Sequence, residues 1–134
     1  MEEDKIKVLL VEPEQAPREI EIENTLKAQQ QLVGGHIQAV YPWEDPVALV
    51  CNEEGKNLKM PFNRSIGHDF IVGTFFICGL GEENFASLSP ELMQKYKQKF
   101  RTPEVLIQMG NRIMVVPIPE TKPPKPKKPR MPER

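Results

Sequence analysis

Apolar residues fall along this chain in short runs with two different periods, and the periods name the elements. Ile6-Lys7-Val8-Leu9-Leu10-Val11 is a β-branched, apolar run closed by Glu12-Pro13, and Arg18-Glu19-Ile20-Glu21-Ile22 alternates polar with apolar. The first reads as a covered strand and the second as a strand with one wet face. Glu23 or Asn24 is suited to cap a helix that sets Leu26, Gln30 and Val33 near one face and closes at Gly34-Gly35. Ile37 to Tyr41 and Val47 to Cys51 are further strands, joined by Pro42-Trp43-Glu44-Asp45-Pro46, whose prolines suit a turn. Asn52-Glu53-Glu54-Gly55-Lys56 reads as a tight turn.

The run Phe70 to Cys78 carries no charge and predicts a single long strand at the centre of the sheet. Ser89-Pro90-Glu91 combines a cap, a first-turn proline and an early acid, and Leu92, Tyr96 and Phe100 follow at helical spacing until Thr102-Pro103 stops the helix. Val105 to Met109 and Arg112 to Val116 flank Gly110-Asn111, a two-residue hairpin signal. The pattern predicts an α+β fold: a mixed, mainly antiparallel β-sheet with helices near residues 25 to 33 and 90 to 101 packed against it.

Composition divides the chain in two. Six of the 14 prolines lie between Pro119 and Arg134, together with Lys122, Lys125, Lys127, Lys128, Arg130 and Arg134. Six basic residues against Glu120 and Glu133 leave this tail at +4, so a chain of net charge −1 has a body of −5. The expected organisation is one α+β domain over residues 1–118 and a basic, proline-rich tail over 119–134. At about 3.1 Å per residue a polyproline-like arm of that length reaches about 50 Å, enough to contact phosphates, an acidic groove or another copy. The other expectation for the tail is a solvated end.

No apolar run reaches the length of a membrane span, and Met1-Glu2-Glu3-Asp4 is acidic where a signal peptide is basic. These features predict a cytoplasmic protein with no membrane partner. Cys51 and Cys78 sit inside apolar runs, where buried, reduced thiols are expected.

Four segments carry a family likeness in order and spacing: Leu32-Val33-Gly34-Gly35, Asn52-Glu53-Glu54-Gly55-Lys56, Asn63-Arg64, and Gly73-Thr74-Phe75-Phe76-Ile77-Cys78-Gly79. Together they resemble the family known as domain of unknown function 3846, over roughly Ile6 to Phe100. The resemblance implies a small protein of a phage, plasmid or conjugative element in a bacterial host cell, with an accessory role such as countering host defence. It implies no catalytic residues. The lysine- and proline-rich tail lies outside the pattern.

Candidate chemistry is sparse. Asn63-Arg64 offers an amide and a guanidinium fork to an anionic, nucleotide-like ligand; otherwise Asn63 makes a turn and Arg64 pairs with an acid. Tyr41 and Trp43 suit stacking on a base or a partner surface, or packing over the sheet edge. His68-Asp69 has the form of a phosphohydrolase motif, but His36 is the one other histidine. Glu53-Glu54 is a pair of adjacent carboxylates in a turn, and Gly79-Leu80-Gly81 is followed by Glu82-Glu83 where a phosphate would lie. No metal-ligand spacing or catalytic constellation emerges, so no cofactor, metal or enzymatic activity is expected.

The leading expectation is a binding protein that sequesters a small anionic ligand through Asn63, Arg64, Tyr41, Trp43 and His68, or blocks a host defence protein. The alternatives are a nucleic-acid accessory anchored by Lys122, Lys125, Lys127, Lys128 and Arg130, and a hydrolase of a nucleotide signal. A homo-oligomer is compatible with each, through an exchanged edge strand or tail.

Overall fold

The computed structural model describes residues 4–118. The strands are β1 (Lys5–Val11), β2 (Arg18–Glu23), β3 (Ile37–Val40), β4 (Val47–Asn52), β5 (Phe62–Ile66), β6 (Asp69–Val72), β7 (Phe75–Leu80), β8 (Phe85–Ala86), β9 (Glu104–Met109) and β10 (Arg112–Pro117). The helices are α1 (Leu26–Val33) and α2 (Pro90–Lys99). The central sheet runs β2-β1-β7-β4-β3, with β8 on the end of β7, and every pairing is antiparallel. β5 with β6, and β9 with β10, form two separate hairpins.

Side chains alternate across the three central strands and sort into two cores. Leu9, Val11, Val47, Leu49, Cys51, Phe75 and Ile77 face one side, where Met93, Tyr96 and Phe100 from α2 complete the cluster. Ile6, Val8, Leu10, Ala48, Val50, Phe76 and Cys78 face the other, beneath Val33 of α1. A helix on each face explains why β4 is buried at every position and why β1 and β7 are apolar almost throughout.

The helix signals hold with one shift. Thr25, rather than Asn24 or Glu23, caps α1: its Oγ1 accepts from the Ala28 N–H at 3.1 Å. Asn24 instead donates from Nδ2 to the Phe85 carbonyl at 2.9 Å, tying the start of α1 to β8. Gly34 closes α1 at φ 82°, and Ser89 caps α2 with Pro90 in its first turn.

The run Phe70 to Cys78 is not one strand. Gly73 turns the chain at φ 75°, and a Cβ there would stand 2.7 Å from the Met60 sulfur, so the run breaks into β6 and β7. β7 takes the sheet centre. β6 folds back on β5 and lays that hairpin over the face of β3 and β4 that α2 leaves open.

Candidate functional site

The residues placed first by sequence are inside the protein. Asn63 is fully buried and Arg64 is 1% exposed. A bulge explains how consecutive strand residues both turn inward: Phe62 pairs with Val72 and Arg64 with Ile71, so Asn63 has no opposite number in β6. Asn63 donates from Nδ2 to the carbonyls of Val11 at 2.9 Å and Gly73 at 2.8 Å. Its Oδ1 accepts from Arg64 Nη1 at 2.9 Å.

Arg64 spends its whole fork on the protein. Nη2 donates to Gln15 O at 2.7 Å and Phe100 O at 2.8 Å, Nε donates to Phe100 O at 3.3 Å, and Nη1 also reaches Asn63 O at 3.4 Å. Burial lowers its pKa, and the charge of Glu104 works against that fall. Phe100 O lies at the C-terminal end of α2, where a cation is favoured by the helix dipole. The expectation of an accessible guanidinium is therefore corrected: Arg64 clamps the end of α2 to the β1–β2 loop and β5. It meets backbone carbonyls rather than a paired acid, and Asn63 sits in a strand rather than a turn.

The remaining sequence candidates do not converge. Tyr41 is 59% exposed and lines a shallow groove with Leu26, Gln29 and Phe85, rimmed by Glu82 and Glu83. Trp43 packs against Tyr96 and Phe100, with ring centroids 4.7 and 5.9 Å apart, on the α2 side. The two aromatics make no common stacking platform. His68 is exposed in the β5–β6 turn. Gly79 is held in the sheet by a backbone contact, since a Cβ there would meet Ser87 O at 2.5 Å.

A cleft of about 440 Å³ opens between the β3–β4 face and the β5–β6 hairpin. Val40, Pro42, Leu49, Ile66, Ile71 and Val72 supply its apolar wall; Gln38, Asn52, Glu53, Lys56, Asn57 and Asp69 supply its polar groups. This volume lies within the roughly 300–1,000 Å³ of small-molecule sites. Lys56 Nζ bonds Asp69 Oδ1 at 2.8 Å across the mouth and stands 4.3 Å from the centre of the Phe70 ring. The lysine and the Phe70 N–H hold the Asp69 carboxyl below its ordinary pKa. Asn52 is buried, donating to Val33 O at 3.2 Å and accepting from the Glu54 N–H at 2.7 Å. It thereby fixes the turn that carries Glu53, Lys56 and Asn57 into the cleft.

Of the carboxylates considered for acid–base chemistry, Glu53 and Asp69 line this cleft, whereas Glu54 is bonded by Asn57 Nδ2 at 2.9 Å outside its lining. No group of three His, Cys, Asp or Glu side chains suited to a metal occurs among the described residues. Cys51 touches the cleft but is 6% exposed, and burial raises its pKa. Cys78 is buried, free and pushed up to about 12 by desolvation.

The model of a family described as a domain of unknown function, DUF3846, matches residues 6–101. The chain belongs to this family. No curated protein and no solved structure matches it. The DUF3846 match takes in both cores, the Arg64 clamp and every residue lining the cleft, and ends before the β9–β10 hairpin. The tail residues Lys122, Lys125, Lys127, Lys128 and Arg130 lie outside the described residues. Among those described, no helix is long and apolar enough to cross a membrane.

Proposed function

We propose that this protein is a non-enzymatic binding module that holds a small organic molecule in the cleft between β3–β4 and the β5–β6 hairpin. The observation that carries this reading is the cleft itself, apolar on its walls and edged with amides and an ion pair, within the family-matched region. Glu53 and Asp69 outnumber Lys56 there, so the rim repels a free polyphosphate. A neutral or cationic face fits instead. A nucleobase-like ring meets these terms, with its edges read by Gln38 and Asn57 and any phosphates directed to solvent.

Sequestration of such a molecule by a phage or mobile element would deprive a host defence of its signal. That role rests on the family resemblance and on the cleft together. Native mass spectrometry of the full chain from its producing host, beside a Gln38→Trp variant that fills the cleft from an exposed position, tests it. A small mass retained by the natural chain and lost in the variant is expected. Equal retention by both, or no ligand from host metabolite extracts, refutes the cleft as the seat.

A further inference from the structure

The β9–β10 hairpin leaves the body with its apolar side chains uncovered. Ile113 is 68% exposed and Met109 60%, while Leu106, Ile107, Met114 and Val115 each stand 40–42% exposed. The register places Ile107 and Met114 on one face, with Leu106 and Val115 on the other, so neither face is a polar outside. Its tie to the body is made at its base, where Glu104 Oε1 accepts from the Ser65 N–H and hydroxyl at 2.8 Å each. An isolated two-stranded hairpin is marginal in water. These six side chains offer roughly 500 Å² of apolar surface, divided between the two faces of the hairpin.

We infer that this hairpin is the surface by which two copies of the chain associate. Between Val105 and Pro117 the sole charge is Arg112, so two hairpins approach with little repulsion although each body is acidic. Cover of both faces of each hairpin by the other copy, with the hairpins clasped rather than laid face to face, would remove about 1,000 Å² in total, which reaches the lower bound of a specific interface. A second copy is also the one partner present whenever the chain folds, as a marginal hairpin requires.

Other occupants fit less well. The chain's own tail brings lysines and prolines to a surface whose single acid, Glu104, is already bonded to Ser65. A lipid layer would leave both hairpin edges with unpaired backbone groups in hydrocarbon, a cost water does not impose, and residues 104–117 contain no tyrosine or tryptophan of the kind that anchors at membrane interfaces.

Sedimentation of the full chain at roughly 50 µM, a concentration that populates a micromolar interface, reads the state directly. A dimer is expected, and the double variant Ile107→Lys/Ile113→Lys, one change per face, should sediment as a monomer. Hydrogen exchange of the natural chain supplies a second reading that needs no variant. Amides of residues 105–117 should gain at least tenfold protection on concentration from about 1 µM to 100 µM, while β4 and β7 amides stay unchanged. A monomeric natural chain, a dimer that survives the double substitution, or hairpin exchange independent of concentration overturns the inference. A monomer whose hairpin becomes protected on anionic vesicles, or is protected only while residues 119–134 are present, does so in favour of those occupants.

Discussion

Replacing Arg64 by methionine separates a clamp from a ligand-binding arginine. The substitution keeps most of the stem's packing and removes the fork, leaving the carbonyls of Gln15 and Phe100 and the Asn63 Oδ1 without their donor in a buried site. Each orphaned buried acceptor costs about 1–3 kcal/mol. Relief of the desolvated guanidinium and entry of water recover part of this, so the net loss should be about 4 kcal/mol from a total in the range of roughly 5–15 kcal/mol. For a domain of this size that is about 15 °C in melting temperature. Urea unfolding followed by circular dichroism, with linear extrapolation, measures it. Arg64→Lys keeps the charge but not the planar fork, and should lose about half as much. An Arg64→Met protein within about 1 kcal/mol of the natural chain would refute the clamp and return Arg64 to the ligand-binding residues.

Three further outcomes follow from the same geometry. Gly73→Ala forces a side chain into the left-handed region against the Met60 sulfur and should cost about 1–3 kcal/mol by the same urea assay. Lys95 and the Tyr96 hydroxyl, each 2.6 Å from Asp45 Oδ2, hold that carboxyl below its ordinary pKa. Its folded pKa lies below the unfolded one, so this stability is present above about pH 4 and is lost as pH falls through the folded value; Asp45→Asn should flatten that acid limb of a melting-temperature profile. Both cysteines should resist a thiol reagent such as dithionitrobenzoate at pH 8 until urea unfolds the chain, because Cys51 and Cys78 are buried with raised pKa values. Prompt labelling of either in the native protein would show that its strand opens locally.

The sequence made the frame legible where a local pattern and its tertiary setting agree. Caps at Ser89 and Gly34, the hairpin at Gly110-Asn111 and the apolar runs of β1, β4 and β7 all survive in the fold. It misled where a residue's surroundings come from far along the chain. Arg64 reads as surface because it is charged, and what buries it is a carbonyl 36 residues away and another 49 residues away. The cleft was illegible for the same reason: β3, β4, the turn after β4 and β6 meet there through topology, and the segments Asn52 to Lys56 and His68-Asp69, though singled out in the sequence, give no sign that they share one cavity. The Phe70 to Cys78 run shows the opposite failure: its unbroken lack of charge reads as one strand, whereas the positive φ of Gly73 and its close approach to Met60 divide it. The β9–β10 hairpin is the most instructive case. Its two apolar faces are the mark of a covered strand pair, and within the described chain the cover is missing. A pattern that predicts burial and a structure that shows exposure agree once the buried state belongs to two chains rather than one.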